Sequence, residues 1–344
     1  MRLGELASLA CGADVLVRDQ FRVKAGESVL ITADPETSVP TVEALVTATR
    51  LVGGKCMVAI VPRLPFTGSL ADACIPEPAS AAALSADVWF DLTFPSFNGS
   101  STYAAMLKNG RTRHALLGDL GEGLRRLYAA VNFDALYELQ SAIDSFIRDS
   151  EGESCHISSA AGTDCVFRIG KSATKKSRVV DQPGSQTPPG SALILPVPES
   201  VQGTLVLEAT FDSSYTPLTS PVTMEVDNRI RKVQGEGRDT AVLDRALRRA
   251  GGGEYGQVIH FTHGFHPAAT FTGRAFMEDI RSMGCNAVGL GIPWWVPGGG
   301  ENHPDGVIRS QSIRIGKQLI VDNGVLVGPD NIARMASALE PRHC

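Results

Sequence analysis

The chain has 344 residues, 43% of them hydrophobic and 20% charged, with seven cysteines and a formal net charge of -5. That length buries a sizeable core without disulfide staples, and the ordinary apolar content excludes a disordered chain. The acidic balance argues against a nucleic-acid partner, and no apolar run approaches the ~18–20 residues that span a bilayer.

Met1 to Val17 contains neither a basic region ahead of an apolar core nor a cleavage signal, so no secretory leader is expected. The cysteines form no CxxC pair and read as buried free thiols of a cytoplasmic protein. From the N-terminus, Ser28–Thr32 reads as a buried strand that ends in Ala33-Asp34-Pro35. Val39–Leu51 has helical periodicity and stops at Gly53-Gly54. Strands follow at Lys55–Val61, Asp87–Thr93 and His114–Leu117, with helices at Ala79–Leu84, Thr102–Lys108 and Phe133–Arg148. Apolar runs without alternation suit parallel strands covered on both faces.

The texture changes after Ser150. Ser154–Ser158 and Asp164–Arg168 flank Ala160-Ala-Gly-Thr163 in the manner of a β-hairpin. Gln182–Gly190 is rich in Gly and Pro and reads as a loop or lid. Thr204–Ala209, Val222–Val226 and Arg229–Val233 are strands, the last two joined by the tight-turn dipeptide Asp227-Asn228. Helices are expected at Asp239–Ala250 and Thr272–Met283. Ser312–Ile315, Gln318–Val321 and Val325–Val327 close the chain as strands, with Asp322-Asn323-Gly324 as a turn. The expected fold class is therefore α/β plus α+β. A Rossmann-like parallel-sheet domain occupies 1–150, and a β-rich domain carrying the chemistry occupies 151–344.

A nucleotide site is not supported. The turn after Thr32 reads Ala-Asp-Pro-Glu-Thr, without the glycines that admit a pyrophosphate, and no GxxxxGK[ST] loop or GxSxG elbow is present. The histidines are more informative. Of seven, His114, His156 and His343 are isolated and read as structural, whereas His260, His263, His266 and His303 fall within one stretch. His260 follows the apolar Gln257-Val-Ile259, which could hold it on a strand. His303-Pro-Asp305 follows the glycine-rich Trp294–Gly300 segment. In extended backbone an H-x-D pair places both side chains on one face. Two imidazoles and a carboxylate could then meet on one cation with positions left open, the arrangement of mononuclear non-haem Fe(II) oxygenases. Zinc accepts the same ligands.

Several pieces from Ser158 to Pro329 resemble the aminopeptidase T superfamily of thermophilic metallopeptidases. They are Ala161-Gly-Thr-Asp164, Pro189-Gly190…Pro196, Glu199–Leu207, His260…Gly264-Phe-His-Pro267 and His303-Pro-Asp305. The departures are specific. The peptidases hold two metals with two glutamates, two histidines and an aspartate. Here a histidine stands at 260 in place of a glutamate, and Ser191 stands in place of another acid. The stretch Gly284–Gly291 has no histidine, and Ile280 falls where a glutamate ligand belongs, although Glu278 and Asp279 are close. These departures resemble the superfamily's ring-cleaving branch, the 2,5-dihydroxypyridine 5,6-dioxygenases.

That resemblance implies a single Fe(II) on His260, His303 and Asp305, an aromatic or N-heteroaromatic substrate opened in an extradiol-type reaction with O2, and a homo-oligomer. A metallo-aminopeptidase or other zinc hydrolase is the alternative. The branch also uses a histidine acid/base from its α/β half, and the matching place near Phe97 has no imidazole. His263 and His266 are candidates for that proton transfer or for support of the ligands. Trp294 and Trp295 are candidates for stacking on a ring, and Glu301 and Thr163 for contacts with substrate or ligands.

Overall fold

The computed structural model describes residues 3–172 and 176–342, so His343 and Cys344 lie outside the described residues. The non-alternating apolar runs of the first half form one parallel sheet. Its strand order is Lys55–Ile60, Ser28–Ala33, Val88–Asp91, Arg113–Leu116 and Gly184–Gln186. Neighbouring residues on one strand serve different cores. Ile31 and Phe90 pack with the helices Val39–Leu51 and Phe133–Asp149, while Leu30 and Trp89 pack with Glu77–Ser85 and Ser101–Lys108. Burial on both faces explains why these strands lack alternation.

The fifth strand comes from Gln182–Gly190, the segment read as a loop or lid. Ser185 pairs with His114, and its Oγ lies 2.8 Å from His114 Nδ1. His114 is fully buried against Trp89, and burial pushes its pKa down from 6.5 to about 3. Between those values the unfolded chain binds a proton that the folded chain refuses, so acid lowers stability by about 1.4 kcal/mol per pH unit through this residue. In urea melts between about pH 4 and 6, His114→Gln is expected to have a pH slope shallower than the parent's by that amount. Parallel slopes would refute the assignment.

The second half builds a twelve-stranded antiparallel sheet. Its hairpins form as the turn chemistry predicts, with Asn228 and Asn323 in the left-handed region (φ 60° and 44°). Ala209, Phe211, Ala287 and Val307 on this sheet pack into the same core as the first sheet, so the two layers share one apolar junction.

Some expectations fail for local reasons. The helix expected over Thr272–Met283 is only Phe276–Asp279. The Asp279 carboxylate accepts the backbone N–H groups of Thr272 and Gly273 and the Thr272 hydroxyl, which fixes that approach as a loop. The helices Leu3–Asp14 and Gly123–Tyr128 were not foreseen. Cys155, Cys165 and Cys285 are buried thiols, but Cys11 and Cys74 are exposed and Cys56 is intermediate. Among the described residues no helix is long and apolar enough to cross a membrane.

Candidate metal centre

Three adjacent strands of the large sheet set the site. Gln257–Gly264 carries His260, Asn286–Gly291 carries Gly289, and Asp305–Ile308 begins with Asp305. In register, His260 pairs with Gly289 and Gly289 with Asp305. Two strand spacings of ~4.8 Å separate the outer two backbones. The missing side chain at Gly289 lets imidazole and carboxylate reach over the middle strand. His260 Nε2 and Asp305 Oδ1 come within 3.5 Å of each other.

His303 enters from the loop ahead of Asp305. Its Nε2 lies 3.0 Å from His260 Nε2 and 3.8 Å from Asp305 Oδ2. That loop is fixed on both sides. Leu290 N–H donates to the Pro304 carbonyl, Asn302 donates to Asp212, and Ser69 and Leu70 N–H groups donate to the carbonyls of Gly300 and Glu301. Among the described residues, His260, His303 and Asp305 are the one group of three such donors, with all ligand atoms within 4.8 Å.

The donor set fits a divalent cation. Two ring nitrogens facing each other across 3.0 Å are satisfied either by a shared proton or by a cation that takes both lone pairs. Thr262 Oγ lies 3.2 Å from His260 Nδ1, and accepting that proton leaves Nε2 free as a ligand. Burial lowers the proton affinity of both imidazoles, with His303 reaching about 4, and keeps them in the neutral form a metal requires. Burial raises the Asp305 pKa well above the usual carboxylate range. A cation offsets that cost.

The three donors open onto a cavity of about 240 Å³. Phe94, Phe211 and Phe276 form one wall, with ring centroids 4.4 to 5.7 Å apart. Thr67, Ser96 and Asn98 from the α/β half supply polar groups opposite the large sheet.

The sequence matches the family described as NicX, 2,5-dihydroxypyridine 5,6-dioxygenase, over residues 16–328. The chain belongs to this family. It is similar in structure to 2,5-dihydroxypyridine dioxygenase from Pseudomonas putida KT2440, with a TM-score of 0.75 at 20% identity over 97% of this chain and 100% of that one. It is also similar to AmpT from Thermus thermophilus, with a TM-score of 0.64 at 14% identity over 94% and 99% of the two chains. At such identities the likeness is one of fold. No curated protein matches the sequence.

In this NicX-family chain His263, His266, Thr163, Glu301, Trp294 and Trp295 fall outside the cavity lining. His263 points to the opposite sheet face, as an odd offset from His260 requires, and its Nδ1 meets Gln311 Nε2 at 2.8 Å. His266 lies past the strand. It is fully buried, with Nε2 donating to the Leu127 carbonyl and Nδ1 accepting from Ala268 N–H. Thr163 is buried in the hairpin turn, its hydroxyl accepting Val206 N–H. Glu301 is exposed. Trp294 and Trp295 are about half exposed, and the Trp294 ring centroid lies 5.9 Å from that of His303. Phe97 turns into the α/β core against Trp89, while its neighbours Ser96 and Asn98 face the cavity.

The two acids near Ile280 are also occupied. Glu278 is paired with Arg126 and accepts Thr270 N–H, and Asp279 accepts Tyr215 in addition to Thr272 and Gly273. Sequence reasoning missed Gly289, Thr262, Lys176 and Arg281. A histidine followed two residues later by a hydroxyl on a strand is a usable signal for Thr262. The other three carry no local signal.

Proposed function

We propose that this chain is a mononuclear non-haem Fe(II) dioxygenase that opens a dihydroxypyridine-like ring in an extradiol-type reaction. The observation that carries the reading is the meeting of His260, His303 and Asp305 at the wall of an aromatic-lined cavity. Two imidazoles and one carboxylate with open positions are the ligand set of non-haem Fe(II) oxygenases. Iron held there would bring ring and dioxygen together and relieve the spin barrier to their reaction. The protein residues do the rest. Phe94, Phe211 and Phe276 stack on the ring and exclude water, which fixes its plane. Thr67, Ser96 and Asn98 offer hydrogen bonds to ring oxygens or nitrogen, and Thr262 holds the His260 tautomer.

A dinuclear hydrolase is disfavoured by the engagement of Glu278 and Asp279 in other contacts. Ser191, which stands where the peptidase pattern has an acid, instead accepts the Lys176 ammonium at 2.8 Å. Metal analysis of protein purified without oxygen is expected to find close to one iron per chain. The loaded protein should consume O2 only when a hydroxylated ring is added. Two zinc or cobalt ions per chain, with peptide hydrolysis and no O2 uptake, would overturn the reading.

A further inference from the structure

The cavity has a second chemical feature. Lys176 and Arg281 both line it, and they are only 7% and 2% exposed. They converge on one atom: Lys176 Nζ donates to the Pro188 carbonyl at 3.0 Å and Arg281 Nε donates to the same carbonyl at 2.9 Å. Lys176 also donates to Ser191 Oγ, and Arg281 Nη1 donates to the Met277 carbonyl. All of these acceptors are neutral.

Among the described residues no carboxylate oxygen lies within 4.0 Å of either cation. Two partly buried acids nearby are held by other donors. Asp144 accepts the Gln140 amide and the Lys176 backbone N–H, and Asp119 accepts the N–H groups of Phe276 and Met277. Two neighbouring cations held out of water with no carboxylate in direct contact are costly, and buried charges are ordinarily paired. Burial lowers the proton affinity of Lys176 and the Arg281 guanidinium lowers it further, against a smaller opposing pull from Asp144.

The arrangement is rigid. Gln140 accepts Gly190 N–H and donates to the Ser191 carbonyl, and Phe265 N–H donates to the Gly190 carbonyl. A Cβ at Gly190, whose φ is +91°, would meet His266 Cβ at 2.5 Å and its ring Cδ2 at 2.7 Å, so the chain lies close against that side chain. In this structure the segment forms one wall of the cavity.

We propose that Lys176 and Arg281 receive a carboxylate carried by the ring, so that the substrate is a hydroxylated N-heteroaromatic or aromatic acid. The inference rests on the ring-cleaving reading and names its substrate class. The carboxylate supplies a counter-charge in direct contact, and guanidinium and ammonium together offer the strong charge-assisted contacts such a group accepts.

The test is anaerobic calorimetry on the full-length Fe(II)-loaded protein. The probes are 2,5-dihydroxypyridine and its 3-, 4- and 6-carboxylates. At least one carboxylate is expected to bind about 10- to 100-fold tighter than the neutral ring. Lys176→Met should bring that ratio close to one, and Lys176→Arg should retain most of it. The comparison within the parent protein needs no variant, so a misfolded Lys176→Met would not block the test. Neutral ring bound as tightly as all three acids, or a ratio that survives Lys176→Met, would overturn the proposal. Selective binding of an acid without O2 uptake would instead overturn the dioxygenase reading and leave the anion site standing.

Discussion

Gly289→Ala is expected to abolish metal binding and turnover in a protein that remains folded. A Cβ at this position would fall 2.3 Å from His260 Nε2 and 2.4 Å from its Cδ2, inside the volume of the imidazole. Gly289 is central in the sheet, bonded to His260 on one side and Asp305 on the other, so the backbone has no room to retreat. Its φ lies outside the left-handed region, and alanine brings no backbone strain. The imidazole is the part that moves. Overpacking of this kind costs about 1–3 kcal/mol, which a fold of this size absorbs. Losing one ligand from a site whose metal is worth ~10–16 kcal/mol over four ligands removes about 3–4 kcal/mol, or roughly 10²- to 10³-fold in affinity. Iron content and thermal melting measured on one preparation decide the matter. Iron retained near one per chain would mean that the ring has another place to go and that the glycine is incidental.

The second large effect is a contrast between two ligand substitutions. Both His303→Ala and Asp305→Asn are expected to lower metal affinity by a similar roughly 10²- to 10³-fold and to lose ring-dependent O2 uptake. They should differ in the stability of the metal-free protein. Asp305 is 4% exposed, and burial raises its pKa well above 3.8. An acid whose folded pKa is raised costs stability at neutral pH, where the unfolded chain is ionised and the folded chain resists ionisation. The amide keeps the shape without the charge, so metal-free Asp305→Asn should melt at or above the parent temperature at pH 7. His303→Ala removes an imidazole packed between His260 and Trp294 and should melt below it. Melting curves of the three proteins after chelation check this. A large fall for Asp305→Asn would mean that the carboxylate holds the sheet together without a metal.

Much of the site was legible in the sequence because its carriers are local. His260 follows an apolar strand, and the H-x-D step of His303 and Asp305 has the period that puts two side chains on one face. The odd offset of His263 from His260 placed that residue on the far face. The segments with strong periodicity, such as Val39–Leu51 and Asp164–Arg168, form with the expected bounds. Thr272–Met283 misled because its helical spacing is real only around Phe276–Ile280, and the residues before it are held as a loop. Phe276, Met277 and Ile280 meet the cavity while Asp279 is drawn back to cap its own approach.

Patterns within a few residues are enough to read the parallel-strand texture of the first half, the hairpins of the second and the three candidate ligands. The register of the large sheet is what reveals that Gly289 clears the space between His260 and Asp305, because that requirement comes from two other strands. Tertiary packing also decided the fate of Lys176, which stands in a polar, basic run that reads as surface and yet reaches the cavity beside Arg281. Both assignments rest on distances between segments far apart in the chain. Such distances are set by sheet register and packing, which no local pattern encodes.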